Sequence, residues 1–417
     1  SADYHVPFLA HASMEPPAAV ARWSKELCEV WAPTQNPQAA IGTLAQVLGM
    51  DPKQIKVHVT FLGGGFGRKS KADFLCEAAL LSKMMDGKPI RVQWTREDDI
   101  RFDYYHTSTV QHCEAGLDES GMPQALLKRS AFPPIGTSFF TGSKQGSDGE
   151  LGLGFTDMPW DIPNIQMEVG EANAKTRIGW LRSVNHIPHC FAEGSFVDEL
   201  AAKAGADRVE YLHKLIGDGR EIAINDELAK GVSYANHGEK LERYPIDTKR
   251  LKRVLDLVAK KSGWGRTMAK GRGMGICVHR SFLSYVACAV EVQVTRTGKL
   301  TLHRLDIGID CGLAINPDRV KAQLEGGALF GVSLALFGQI RFDAGRVQES
   351  NFHEYQVTRM ADTPKELYTY IVESDAAPAG VGEPGTPPIA PAICNAIFAA
   401  TGKRIRELPI MNHDLSW

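Results

Sequence analysis

The chain has 417 residues, 43% hydrophobic and 23% charged, with 47 Lys+Arg against 49 Asp+Glu for a net charge of −2. At about 150 residues per domain this predicts two or three domains, and the composition excludes extensive disorder. The charge balance excludes a general polyanion-binding surface, and no apolar run reaches the ~18 residues of a transmembrane helix.

In chain order, the opening Ser1-Ala2-Asp3-Tyr4-His5 carries neither an initiator Met nor a signal pattern. It reads as the start of a processed product or of a piece of something longer. Residues 55–62 alternate apolar and polar like a half-buried strand and run into Gly63-Gly64-Gly65-Phe66-Gly67. A helix is predicted over 71–85, stopped by Gly87 and Pro89, and a strand over 90–95. Two helices are expected within 196–216, broken near Gly205; periodicity then fades over 217–244, where a boundary or a long surface crossing fits. Residues 249–261 form an amphipathic helix whose basic face reads as solvated, with no nucleic-acid partner implied. Strands at 286–295 and 300–309 joined at Gly298 predict a hairpin, followed by helices at 318–336 and 391–400, the last stopped by Gly402. Strands and helices without regular alternation predict an α+β fold, divided at 1–235 and 236–417.

Glycine is in excess, at 40 residues, roughly a tenth against about 7% in ordinary proteins. Three consecutive glycines between a strand and a helix leave no Cβ at the turn, and N–H groups at the following helix start would cradle an anion or an oxo ligand. No Gly-Lys-Ser/Thr follows, and Arg68 occupies the place of the third glycine of a dinucleotide fingerprint. Glu383 stands alone among the glycines and prolines of residues 380–388, a pre-set backbone suited to holding a general base. Arg182 in the mostly uncharged, strand-like 179–186 needs an anionic ligand or a carboxylate as partner. Gln323, followed by Gly326 and Gly327 in a helical pattern, implies close packing or a ligand near the backbone, and Gln35 between Pro33 and Pro37 reads as a turn and cap. His186 and His189, with Cys190 beside them, lack the partners of a coordination set and read as structural, so no metal-ligating residue is predicted. The eight cysteines include no CxxC and read as buried thiols. The absence of GxSxG removes the main serine hydrolase class.

Seven segments in order are "HASMEPPAA", "GGGFGRKSKAD", "TREDD", "GWLRSVNH", "FVDELA", "DCGLAINPDRVKAQLEGG" and "GVGEPGTPPIAPAICNAIFAATGKRIRELP". Together they resemble the molybdopterin-binding large subunits of the molybdenum hydroxylases, the xanthine dehydrogenase and aldehyde oxidase superfamily. The chain resembles especially the C-terminal half of isoquinoline 1-oxidoreductase beta subunits, and also that of membrane-bound aldehyde dehydrogenase large subunits. It implies a bacterial protein carrying a molybdenum–molybdopterin cofactor in its cytosine dinucleotide form. Water-derived oxygen would be inserted at an electrophilic carbon of an aldehyde or N-heterocycle. Carried over by motif, Glu383 is the general base, Gln35 bonds an apical oxo ligand, and Gly64, Gly65, Phe66 and Gly67 face the metal ligands. Arg182, Gln323 and Gly382 complete the cofactor contacts.

No iron–sulfur or CxxCH haem ligand set is present, so the electrons need partners. The resemblance implies a [2Fe–2S] small subunit, in some relatives a cytochrome c subunit, and placement at the periplasmic face through those partners. Two departures stand out. Ser70 occupies the place of the glutamate of purine oxidisers, which argues against purine substrates. The family's N-terminal half, with its Gly-Gln-Gly turn, is expected from a further chain or subunit. The alternatives are a non-catalytic assembly subunit of such a complex and a nucleotide-dependent α/β dehydrogenase, for which Asp86 lies near the required spacing but at a helix end.

Overall fold

The computed structural model describes residues 1–224 and 234–417. The first alternating run becomes part of a four-stranded sheet ordered Ile55–Val59, Cys28–Ala32, Ala18–Trp23, Ile90–Gln93. Its first two strands are parallel, joined by helix Pro37–Leu48, and the other pairs are antiparallel. That helix starts where Asn36 accepts from the Ala39 N–H at 3.2 Å, with proline in the first turn, and ends on Gly49 at φ 69°. With helix Asp73–Met84 it buries Leu44, Leu48, Phe74 and Leu75 against the sheet.

A second sheet, ordered Ala2–Val6, Thr109–Leu117, Pro123–Ala131, Asn164–Gly170, lies against helix His186–Lys203. The third is the predicted hairpin extended on both sides: Arg272–Ser281, Ser284–Val294 and Leu300–Asp310 antiparallel, then Glu366–Ile371 parallel. Helices Thr248–Ser262 and Ile389–Thr401 pack on this sheet. Helix Ile389–Thr401 comes so close that a Cβ on Gly275 would lie 2.2 Å from the Ala392 carbonyl oxygen. One hydrophobic core runs from Ala2 to Leu415 and joins the second and third sheets, while the first sheet keeps its own. The mixture of parallel and antiparallel pairs with packed helices is the expected α+β class.

Several boundaries differ from the sequence reading. The helix expected from 196 begins at His186, because nearly every residue of its first half is buried, His186, His189 and Glu193 included, and a helix buried all round has no amphipathic period. The strand over 55–62 stops at Val59, and Phe61 is fully exposed. The strand over 90–95 stops at Gln93, because Thr95 caps the short helix Arg96–Arg101. Of the faded stretch at 217–244, residues 225–233 lie outside the described residues. On either side of them Glu221–Ile222 pairs antiparallel with Ile246–Asp247. All eight cysteines are buried and free. Among the described residues no helix is long and apolar enough to cross a membrane.

Candidate functional site

After Val59 the chain turns back through the glycines. Gly64 has φ 90°, Gly67 φ 111° and even Phe66 φ 53°. A Cβ on Gly67 would lie 1.7 Å from the Trp180 carbonyl oxygen, and one on Gly65 2.4 Å from Gln35 Oε1. The loop is therefore threaded between the backbone of one segment and the side chain of another, and at Gly67, where the obstacle is backbone, only glycine fits. The Gly67 N–H donates to Gln35 Oε1 at 3.0 Å, while the Gln35 N–H donates to the Lys69 carbonyl at 2.9 Å. Gln35 is thus more than a turn residue: it spans the glycine loop. The expected amides of a helix start are not there. The next helix begins at Asp73 after the single turn Arg68–Ser70, so the loop itself, rather than a helix N-terminus, forms the wall.

The strand-like run around Arg182 is instead a turn into helix His186–Lys203, because Ser183 and Val184 both have positive φ, 79° and 44°. The partners of Arg182 are not carboxylates. Its Nε donates to the Gly382 carbonyl at 2.8 Å, and Nη2 donates to the Gln323 carbonyl at 3.1 Å and to Gln323 Oε1 at 3.0 Å. One guanidinium ties the Glu383 loop to helix Pro317–Leu336. That loop is pinned further: the Ser183 hydroxyl donates to the Glu383 carbonyl at 2.8 Å, and Thr386 Oγ1 to the Gly327 carbonyl at 3.1 Å. Burial pushes the Glu383 carboxyl above its usual range, opposed by the Ser183 backbone amide and the Arg182 charge.

These segments enclose a cavity of about 450 Å³. Gln35, Gly65, Phe66, Gly67, Arg182, Gln323, Gly382 and Glu383 all line it. Gly64 lies one step behind, where a Cβ would lie 3.1 Å from the Phe66 ring. The Phe66 ring packs in turn on Phe330, 4.9 Å between centroids. Of the predicted site residues, the cavity therefore gathers all except Gly64. His186 and His189 are elsewhere: His186 Nδ1 lies 2.9 Å from His279 Nε2, and His189 Nδ1 2.8 Å from the Leu153 carbonyl. Among the described residues no group of three His, Cys, Asp or Glu could hold a metal ion.

Residue-by-residue reading misses the scaffold beneath the glycines. Arg68, fully buried, makes a two-pronged pair with Asp73 at 2.9 and 2.8 Å and meets Asp103 at 3.2 Å. His11 Nδ1 lies 2.9 Å from Asp103, and its Nε2 lies 2.6 Å from the same Trp180 carbonyl that abuts Gly67. Burial would raise the Asp103 carboxyl, but the charges of His11 and Arg68 hold it below its ordinary value. Lys71 Nζ sits 3.2 Å from the Trp180 ring centroid. The available signal is the pair of segments "HASMEPPAA" and "TREDD", which supply His11 and, beside Asp103, the Arg96–Asp99 pair.

A molybdopterin cofactor-binding domain model matches residues 1–214, and a second model of the same description matches residues 242–364. The chain belongs to the molybdopterin cofactor-binding family. The expected likeness to molybdenum hydroxylase large subunits agrees with these matches and with the curated relatives. The chain is 31% identical over 99% of its length to the membrane-bound aldehyde dehydrogenase [pyrroloquinoline-quinone] of Gluconacetobacter polyoxogenes. It is 30% identical over 98% to a nicotinate dehydrogenase subunit of Pseudomonas putida, and 29% over 96% to the beta subunit of isoquinoline 1-oxidoreductase of Brevundimonas diminuta. It spans only 53%, 34% and 48% of those proteins. In fold it is similar to quinoline 2-oxidoreductase from Pseudomonas putida 86, with a TM-score of 0.79 at 13% identity, covering 98% of this chain and 74% of that one. It is also similar to the aldehyde oxidoreductase of Desulfovibrio gigas, with a TM-score of 0.78 at 16% identity over 98% of this chain and 60% of that one.

Proposed function

We propose that this molybdopterin-family chain is the catalytic part of a molybdenum hydroxylase, inserting water-derived oxygen at an electrophilic carbon of an aldehyde or N-heteroaromatic substrate. The observation that carries the reading is convergence: residues 35, 65–67, 182, 323 and 382–383 meet at one cavity, with a single half-buried carboxylate in its wall. The cradle suits a bulky, oxygen-rich group, because the backbone of the loop from Gly65 to Gly67 and the polar side chains of Gln35, Arg182 and Gln323 border it. Bound there, the molybdenum–pterin group would supply the Lewis acid and the two-electron acceptor.

The chain's own residues divide the remaining work. Gln35 and the loop of Gly64, Gly65, Phe66 and Gly67 would hold the metal end, and Gln323 and Gly382 the pterin. Arg182 keeps the two walls together. Glu383 is the group placed to accept a proton, and its raised pKa makes it a stronger base than an exposed carboxylate. Residues 1–235 and 236–417 would each contribute one side of the cofactor site. The cytosine dinucleotide form, a [2Fe–2S] subunit, a cytochrome c subunit in some assemblies, a chain or segment completing the site and a periplasmic placement belong to the same proposal. The competing dinucleotide reading loses support, since the glycine loop opens only the single 3-10 turn Arg68–Ser70 and the α-helix starts later, at Asp73.

The test is elemental analysis of the intact complex together with Glu383→Gln. Molybdenum is expected in the active complex, and the variant should keep it while losing at least ~100-fold in turnover. Active complex without molybdenum would refute the assignment. A near-wild-type rate in the fully loaded variant would remove Glu383 from its role and favour an assembly subunit.

A further inference from the structure

We propose that Ser183 is a positioning residue that sets the Glu383 carboxylate, an inference that rests on Glu383 being the base. Ser183 is fully buried and does not line the cavity. Its backbone is in the left-handed region, φ 79°, and is followed by a β-branched residue in the same region, Val184 at φ 44°. Two consecutive non-glycine residues there are strained, and such strain persists only where the surroundings over-determine it. Glycine would relieve the backbone at 183 but would bring no hydroxyl.

The hydroxyl has a specific task. It donates to the Glu383 carbonyl at 2.8 Å, while the preceding residue, Arg182, donates to the preceding carbonyl, Gly382, at 2.8 Å. Consecutive residues of the turn thus grip consecutive peptide groups of the loop that carries the base. Across the loop a second strained turn completes the clasp. Phe282 and Leu283, at φ 49° and 68°, form a hairpin tip whose Phe282 carbonyl accepts the Gly380 N–H at 3.0 Å. The neighbouring Ser284 hydroxyl donates to the Gly380 carbonyl at 2.6 Å. The Glu383 carbonyl also receives the Thr386 N–H at 3.0 Å, but that bond lies within the loop and moves with it. Ser183 therefore fixes the base's own peptide from outside. Its backbone amide acts on the carboxylate as well, and Arg182 is the charge that acts on it. The fully buried His186, on the same turn-to-helix segment, has its pKa lowered and stays neutral.

Two variants of the intact complex separate positioning from packing. Ser183→Ala removes the hydroxyl and keeps the strain; Ser183→Gly removes both. Both should lose about 10-fold or more in kcat, the scale of one lost hydrogen bond or slightly more, with KM within about twofold. In both, molybdenum content should stay full and the acid limb of the kcat–pH profile should move to higher pH. The same upward shift should appear, independently of turnover, in the infrared carboxyl band that Glu383→Gln abolishes. Ser183→Gly should unfold at no lower temperature than the parent. Rates within twofold with unmoved carboxyl titration would overturn the proposal, as would normal activity in Ser183→Gly beside a defective Ser183→Ala. Loss of molybdenum from both would overturn it too, by making Ser183 a cofactor-retaining residue. If Ser183→Ala does not fold, the glycine variant decides alone. Glu383→Gln runs in parallel: a dead Glu383→Gln beside normal Ser183 variants sinks only this inference, whereas an active Glu383→Gln sinks the reading beneath it.

Discussion

Gly67→Ala is a stringent probe of the threaded loop. The added methyl would lie 1.7 Å from the Trp180 carbonyl oxygen, far inside contact distance, and the obstacle is backbone that no rotamer can move aside. Alanine at φ 111° adds a conformational penalty of about 1–2 kcal/mol. Displacing the Trp180 carbonyl also loosens its 2.6 Å contact with His11 Nε2, leaving buried polar groups poorly paired at about 1–3 kcal/mol. The expected total is ~2–5 kcal/mol, together with loss of bound molybdenum, because the wall that faces the cavity moves. Urea unfolding of the intact complex with elemental analysis checks both. Gly42→Ala is the control: nothing lies within 4 Å of that Cβ in helix Pro37–Leu48, so it should stabilise by about 0.5–1 kcal/mol. An unchanged midpoint and full molybdenum in Gly67→Ala would refute the account of the loop.

Three further outcomes follow from the same geometry. Arg182→Lys cannot reach Gly382 and Gln323 together, so molybdenum retention and turnover should both fall by about 10-fold, read by metal analysis and steady-state rates. In Gly65→Ala the new methyl meets the flexible end of Gln35 at 2.4 Å, so the unfolding midpoint should stay near the parent's while molybdenum loading falls. The pH dependence comes from buried histidines: burial lowers His106 to about 4 and His189 and His279 to about 3. Their unfolded values are near 6.5, so between about 6.5 and 4 these histidines, with the likewise lowered His186 and His237, bind more protons in the unfolded chain. They outnumber Asp99 and Asp157, which burial raises to about 7 and about 6 and which act in the opposite sense, so net stability should fall as pH falls through that window. Each group contributes up to ~1.4 kcal/mol per pH unit, so the urea midpoint should drop steeply below about pH 6.5; a flat profile to about pH 4.5 would contradict it.

The cavity residues are legible because each sits where local rules are broken in the sequence itself: three glycines in a row, a lone glutamate among prolines, an arginine in apolar company. What is illegible acts at a distance. Nothing near Arg182 announces that its partners are carbonyls at 323 and 382, and nothing near His11 announces Asp103. The helix from His186 reads short because burial on all sides erases the period that marks a helix. Strand ends at Val59 and Gln93 are overrun because the run of strand-forming residues in the sequence continues past the last paired residue. The turn at Ser183 and Val184 cannot be foreseen, because neither residue type favours positive φ.

The spread of the cavity's contributors bears on how the site comes into being. Contacts between Arg182 and Gly382, and between Ser183 and Glu383, each span 200 positions, and the His5–Glu407 bridge spans 402. Such closures are entropically late events. During synthesis, no stretch shorter than residues 35–383 contains the complete wall. The glycine loop must therefore wait, open, for a partner loop made more than three hundred residues later. Any large group held between these walls would have to be enclosed after residue 383 has been made, when the two loops can meet.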